Sequence, residues 1–432
     1  MQAQNRRKAA GIGDPAVRSR MVADFSDMVG VDSPSFGERG MADLMRVKLE
    51  AAGFEVEEDG AASRLPGNCG NLIATLRGDP GLPAVGLLAH MDTVEPCRGK
   101  KCVVDAGDAD ILRSDGTTIL GGDDAAGMVA AIEVARRLRE GGVRHGDVQI
   151  ILTVAEELGL QGAKNLDYSK VRAQYFFVFD SGTAPGSVVA RAPTHANMTF
   201  TVTGRAAHAG IEPEKGLSAI KVFAEAVAGM KLGRIDAETT ANIGTVRGGT
   251  VVNAVCEKVV AEGEARSYSE DSMRAQMAHM RQRFEEACAK CGAGFACEET
   301  IKYRGYALGA GDAIIRLLQE AEGRRIAAEG AAQAPPAAGG PAGTGASPAT
   351  DGPTGADAPA GAGIPKLPLA LVDTGGGSDA NILIERGLSA ATLPMGMHDV
   401  HSTGEYANLR ETDRAVELVL HVFGLLAERG QA

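Results

Sequence analysis

The stretch 147-DVQIILTVAEELG-159 is an apolar run that stops at two adjacent glutamates, Glu156 and Glu157. A strand apolar at nearly every position, rather than at alternate ones, belongs in a sheet covered on both faces. Two similar runs, 84-AVGLLAH-90 and 174-QYFFVFD-180, lie on either side of it in sequence, and 71-NLIATLRG-78 is a further short β-like run. Between them, 123-DDAAGMVAAIEVARRLREGG-142 repeats Ala, Ile, Val and Leu at helical spacing and ends on a Gly pair. A short helix is expected near 161–167, and residues 15–53 read as two amphipathic helices around the turn DSPSFGERG. Strands alternating with helices predict an α/β fold, a mostly parallel mixed sheet flanked by helices.

The texture changes near 195. NMTFTVTG alternates apolar and polar residues, as a half-exposed strand does. A helix near 216–231, strands in ETTANIGTVRGG and VCEKVVAEGEARS, a helix at 270–291 and a strand near 293–304 follow. The order β-α-β-β-α-β predicts a ferredoxin-like α+β domain inserted into the first. The expected division is 1–194 and 305–432 for the catalytic domain and 195–304 for the insertion. Residues 331–363, almost wholly Ala, Gly, Pro, Ser and Thr, read as a disordered loop. PLALVD at 368–373 resumes as a strand, and a helix near 411–428 closes the chain.

Composition narrows the function. The 432 residues suffice for two domains, and 44% hydrophobic content supports a substantial core. A net charge of −12 argues against a nucleic-acid backbone as partner, and the absence of Trp with 4% aromatics argues against base stacking. Seven cysteines spread along the chain do not suggest a disulfide framework. Cys288 and Cys291 form a CxxC within a helix-like run and read as ordinary helix cysteines. No apolar stretch reaches the roughly 18 residues of a membrane span, and no apolar segment follows the basic N-terminus. A cytoplasmic protein with no membrane partner is expected.

The polar candidates fall largely at the C-terminal ends of strands, where open α/β sheets bind ligands. His90-Met91-Asp92 ends one strand. Residues two apart share a face, so Asp92 can orient His90 through its second ring nitrogen. Asp123 and Asp124 stand between a glycine turn and a helix start; capping alone would need only one. Of Glu156 and Glu157, one can ligate a cation while the other stays free as a base. Asp180 ends the strand QYFFVFD. His398 and His401 lie in the polar loop PMGMHDVHSTGEY, followed by Glu405. Together His90, Asp123, Glu157, Asp180 and His401 offer two imidazoles and three carboxylates. That set suits two divalent ions sharing one aspartate, with Glu156 left as general base.

In this order and context HMDTVEP, SDGTTILGGDDAAG, TVAEELGLQGAKNL, FDSG, GRAAHAG, ETTANIG, GGGSDAN and MHDVHSTGEY resemble the peptidase T-like branch of the di-zinc exopeptidase family, which includes carboxypeptidase G, aminoacylases and acetylornithine deacetylase. The resemblance runs from about residue 20 to 427, apart from the Ala/Gly/Pro segment. It implies His90 and Asp180 on one metal, Glu157 and His401 on the other, Asp123 bridging, and Asp92 behind His90. It also implies a cis Asp123–Asp124 peptide and Glu156 as the base acting on a water between two metal ions. The insertion would be a lid and dimerisation domain. Its His208 would stabilise the oxyanion, and Asn253 and Arg266, on adjacent strands, would bind the substrate carbonyl or carboxylate. Gly376 and Ser378 of the GGGSDAN loop would approach the substrate closely. The chain departs from the family in GGDDAAG, where Ala125 replaces a usual lysine.

The resulting expectation is a cytoplasmic exopeptidase hydrolysing short peptides, with two divalent ions. Zinc suits the donors, and cobalt or manganese can occupy similar sites. A homodimer through the insertion is expected. An N-acyl amino acid amidohydrolase or carboxypeptidase-like enzyme would use the same chemistry. A non-catalytic binding protein would keep the fold alone.

Overall fold

The computed structural model describes residues 11–333 and 369–430. A nine-stranded sheet forms its centre. The strands run in the order Glu55–Glu58, Leu72–Leu76, Val148–Thr153, Val85–His90, Tyr175–Val178, Ser389–Thr392, Ser187–Ala192 and Tyr306–Ala307, with Ala370–Asp373 pairing alongside Ser187–Ala192. From Val148–Thr153 to Ser389–Thr392 neighbouring strands are parallel. Val85–His90 and Val148–Thr153 are buried at every position, in keeping with their nearly continuous apolar sequence. Their register pairs His90 with Thr153, so the two strands end level.

Helices cover both faces. Pro15–Val29, Gly122–Glu140, Ala313–Gln333 and Leu409–Arg429 pack on one side around Phe25, Ile132, Phe177 and Phe423. On the other side, Asp379–Glu385 supplies Ala380 and Leu383 to a cluster with Leu88, Ile151 and Phe176. The first long helix begins as its sequence suggests: Asp14 accepts the Ala16 N–H, and Pro15 opens the first turn. Helix Ala313–Gln333 was not expected from sequence, and residues 331–333 of the expected loop belong to its end. Residues 334–363 lie outside the described residues.

A separate antiparallel sheet runs Gly233–Arg234, Thr239–Gly248, Lys258–Ser267, Thr194–Thr203, Gly294–Tyr303. Its four long strands, numbered along the chain, lie in the spatial order second, third, first, fourth, the ferredoxin-like arrangement expected. Helices Ala219–Ala228 and Glu270–Cys291 cover one face, closing a core that contains Phe200, Val222, Met277 and Phe284. Cys288 is buried and Cys291 exposed at the end of the second helix, and both are free thiols.

A third, four-stranded sheet joins Met397–His398, Tyr406–Asn408, Ile111–Ser114 and Cys102–Val104. These strands of two to four residues carry too little periodicity to read from sequence. They brace both flanks of the loop that carries His401.

Candidate functional site

His90, at the end of its strand, faces the turn that opens helix Gly122–Glu140. His90 Nε2 lies 2.9 Å from Asp123 Oδ1, and His401 Nε2 lies 3.4 Å from Asp123 Oδ2. Asp123 therefore stands between the two imidazoles. His401 Nε2 is also 2.9 Å from Glu157 Oε1. Donor atoms of His90, Asp123 and Glu157 lie within 4.8 Å of one another, as do those of His90, Glu156 and Asp180. The side chains expected to hold metal thus converge from the ends of three neighbouring parallel strands, the first turn of helix Gly122–Glu140 and one distant loop, with Glu156 among them.

The shell behind them is made of backbone hydrogen bonds. Asp92 Oδ1 accepts the Glu156 N–H at 2.8 Å, and its Oδ2 accepts that of Glu157 at 3.3 Å and the Ser35 hydroxyl at 2.6 Å. The expected Asp92–His90 pairing differs in detail. The Asp92 backbone carbonyl is nearest His90 Nδ1, at 2.9 Å, while Asp92 Oδ1 is 3.6 Å away. The carboxylate is turned toward the glutamate pair, leaving the carbonyl to fix the ring. The Asp123–Asp124 peptide is cis. Buried Asp124 accepts the His90 and Gly127 N–H groups, so the second aspartate of GGDDAAG braces the strand end.

Three carboxylates that sequence reasoning gave no such role complete the frame. Glu405 accepts the N–H groups of Leu120, Gly121 and Asp123 at 2.8, 2.9 and 3.1 Å. Glu38 accepts those of Phe36 and Ala155 at 2.8 and 2.9 Å. Asp379 accepts the Thr153 hydroxyl at 2.5 Å. Each bridges segments far apart in sequence.

The electrostatics are those of carboxylates crowded out of water. Burial, then the neighbouring charge of Asp180, pushes Glu156 well above the ordinary carboxylate range. Burial and Asp123 do the same to Asp180. Burial would raise Asp123 too, but His401 and His90 beside it bring it below its usual value. Asp123 and Glu157 push His401 up to about 10. Buried carboxylates in such excess over imidazoles form a donor set that divalent cations would neutralise, so the residues present fit a pair of metal ions.

Beside Asp123 and Asp180 lies a cleft of about 350 Å³, lined also by Ser181, Thr183, Gly376 and Ser378. Gly376 and Ser378 therefore reach the cleft wall. The Ser378 hydroxyl is also engaged elsewhere, capping helix Asp379–Glu385 through the Ala380 N–H and lying 2.9 Å from Thr392 Oγ1. The insertion's candidates sit apart. Asn253 is not on a strand as expected but in an exposed turn, because the chain leaves the sheet after Gly248 and returns at Lys258. Its carbonyl accepts the Ala209 N–H at 2.9 Å, joining it to the exposed loop of His208. Among the described residues no hydrogen bond or ion pair joins His208 or Asn253 to the cluster. Arg266 does reach across, its Nη1 lying 3.4 Å from the Gly375 carbonyl.

Comparison with known proteins agrees with this architecture. Residues 193–290 match the peptidase dimerisation domain, and residues 71–219 match peptidase family M28. The chain is 35% identical to the uncharacterized protein YqjE of Bacillus subtilis, over 93% of this chain and 97% of that one. It is similar to the crystal structure of a tripeptidase from Staphylococcus aureus, with 30% identity, a TM-score of 0.79, and 95% and 98% of the two chains covered. It is likewise similar to aminopeptidase PepT from Bacillus cereus, with 35% identity, a TM-score of 0.74, and 95% and 99% covered. With these full-length likenesses, the chain belongs to the peptidase T-like metallopeptidases.

Proposed function

We propose that this metallopeptidase is an exopeptidase that removes the amino-terminal residue from short peptides. The observation that carries the reading is Asp123 placed between His90 and His401, with Glu156 alongside. In this reading His90 and Asp180 would hold one divalent cation and His401 and Glu157 a second, with Asp123 available to both. Imidazole and carboxylate donors suit zinc, and admit cobalt or manganese. When bound, such a pair polarises a carbonyl and makes water acidic enough to attack at neutral pH.

The protein's own groups do the rest. Glu156 takes the proton of the attacking water and delivers it to the departing amine. Asp92 fixes the backbone of the glutamate pair, so that the base and a ligand keep their separate directions. His208, exposed and unconnected to its own cluster, is assigned to the oxyanion of a second copy. The match to a dimerisation domain supports that homodimer. So does the open edge of Thr239–Gly248, paired only at Thr240 and Ala241 by Gly233–Arg234 and exposing Val246.

The tripeptidase and aminopeptidase likenesses support a peptide substrate over an N-acyl amino acid. Among the described residues no helix is long and apolar enough to cross a membrane, and the seven cysteines are free, which supports a cytoplasmic site of action. The test is turnover by the metal-loaded protein of tripeptides beside N-acetyl amino acids, with and without chelator. Tripeptide hydrolysis abolished by chelation is expected. Turnover of N-acetyl amino acids alone would replace this reading with an amidohydrolase.

A further inference from the structure

The cleft beside the cluster has a wall whose hydroxyls are paired with one another and with the backbone. Ser181 Oγ lies 3.0 Å from Thr183 Oγ1, the Ser187 hydroxyl donates to Thr183 Oγ1 at 3.1 Å, and the Thr183 N–H donates to Ser181 Oγ at 3.2 Å. Ser378 Oγ is 2.9 Å from Thr392 Oγ1, and Thr374 Oγ1 accepts the Gly376 N–H at 3.3 Å. Val189, Met397 and Val400 supply the apolar lining. The charged side chains that line the cleft, among the described residues, are Asp123 and Asp180, and both belong to the donor set of the cluster. A group entering here meets no cationic side chain, and every wall hydroxyl already has a partner.

Val400 differs from the rest of this wall. Val189, Thr392 and Met397 are buried, whereas Val400 is 36% exposed. It lies between Asp399 and His401, whose φ values of +51° and +62° fall in the left-handed region that residues with side chains disfavour. Two such residues flanking one valine persist only where their surroundings hold them. The Ser402 hydroxyl donates to the Asp399 carbonyl at 2.6 Å, and strands Met397–His398 and Tyr406–Asn408 pair on either side of the turn. The turn that carries His401 to the cluster therefore carries Val400 to the cleft, and leaves an aliphatic side chain within reach of its occupant.

Resting on the peptidase reading above, we propose that this cleft receives the side chain of the substrate's amino-terminal residue, that it selects uncharged aliphatic side chains, and that Val400 is the specificity-determining residue. Charge decides which end of the peptide enters. A C-terminal carboxylate would lie beside Asp123 and Asp180 with no cationic side chain to receive it, whereas a free amino terminus complements them. The wall decides the class of side chain. An aliphatic group gains by leaving water. An amide of the same shape loses its water without finding an unpaired partner, and a carboxylate also meets like charge. The volume of about 350 Å³ is at the small end of the roughly 300–1,000 Å³ of ligand pockets, which fits one residue rather than a longer segment.

Calorimetry on zinc-loaded protein carrying Glu156→Gln measures binding without turnover. The ligands are Leu-Gly-Gly, Asn-Gly-Gly, Glu-Gly-Gly and Gly-Gly-Leu. Leu-Gly-Gly is expected to bind at least about tenfold tighter than the Asn and Glu peptides, and tighter than Gly-Gly-Leu. Adding Val400→Ala is expected to cut the advantage of Leu over Asn by about threefold and to leave Asn-Gly-Gly unchanged, a ratio that a merely structural loss would not move. Adding Val400→Lys, with zinc content confirmed, is expected to tighten Glu-Gly-Gly by about threefold. Equal binding of Leu-Gly-Gly and Asn-Gly-Gly, a preference expressed at the C-terminal residue instead, or ratios untouched by both Val400 substitutions overturns the proposal. Turnover by the protein with Glu156 intact decides the peptidase reading separately: tripeptides hydrolysed without the preference for Leu sink this proposal alone, and tripeptides neither hydrolysed nor bound sink both.

Discussion

Glu405 accepts the backbone N–H of Asp123 at 3.1 Å, across 282 positions of sequence. The same carboxylate takes the Leu120 and Gly121 N–H groups, so the turn presenting Asp123 is set from the far end of the chain. On the reading of Asp123 as a proposed metal ligand, a residue that fixes it from behind would act on metal affinity. Replacing Glu405 by Ala should weaken metal binding by roughly 10- to 100-fold, the usual effect of losing such a support. Titration of metal-free protein with zinc measures it. An unchanged affinity would show that helix Gly122–Glu140 holds the turn unaided.

Glu156 should separate chemistry from metal binding. Glu156→Gln keeps the shape and removes the proton acceptor, so turnover of tripeptides is expected to fall by about 10² to 10⁴-fold. Metal content, measured on the same preparation, should stay at the level of the unsubstituted protein. If activity survives, the base lies elsewhere. If metal is lost along with activity, Glu156 is a ligand rather than the base.

Metal binding should depend on pH with a known sign. Without metal, His401 is raised to about 10 by Asp123 and Glu157, and His90 is raised by Asp123 and Asp92 against the opposing effect of burial. His401 therefore carries a proton at neutral pH and His90 is biased the same way, so a cation would have to displace protons from this pair. Affinity should rise as pH increases from 6 to 8, with release of protons detectable by calorimetry in buffers of different ionisation enthalpy. A flat affinity over that interval would mean the rings are already neutral.

How far the sequence reached depends on the kind of contact. His90 and Asp180 were legible because each ends an apolar run, and a polar side chain there has few places to go but the sheet's ligand-binding edge. Glu38 and Asp379 were not. Their partners, Ala155 and Thr153, lie 117 and 226 residues away, and a hydrogen bond over such a distance leaves no periodicity behind. Asn253 was misplaced because Val251, Val252 and Val255 around it look like a strand, whereas the first two are exposed in a turn. The pairing of Arg266 with Glu264 was within reach of the sequence, since a separation of two on a strand puts both on one face.

Glu264 also gives a stability signature. Its folded pKa of about 2 lies below the ordinary 4.5, so its ion pair adds stability above pH 4.5 and loses it as pH falls through 2. The Glu264 side chain is 36% exposed, so solvent screening keeps the contribution to about 1 kcal/mol or less. Melting of the unsubstituted protein and Glu264→Gln should differ by a degree or two at pH 6, and the curves should converge toward pH 2. A difference that persisted at pH 2 would have to come from packing rather than charge.

Glu38 makes the last prediction, because it sets the backbone just ahead of the proposed base. One of its oxygens takes the N–H of Ala155, whose φ of +47° turns the chain from strand Val148–Thr153 into the glutamate pair. That conformation is unfavourable for a residue with a side chain and persists only where its surroundings hold it. Glu38→Ala would leave the Phe36 and Ala155 N–H groups without their acceptor, at a cost of about 1–3 kcal/mol. The effect should not stop at stability. With Ala155 released, Glu156 loses the direction that aims it at the cluster, so kcat should fall at temperatures where the variant is fully folded. Glu38→Gln retains an amide oxygen for the same two donors and should recover most of both losses. Circular dichroism melts with steady-state kinetics on the two variants decide it: equal kcat for Glu38→Ala and the unsubstituted protein would confine Glu38 to a purely structural part.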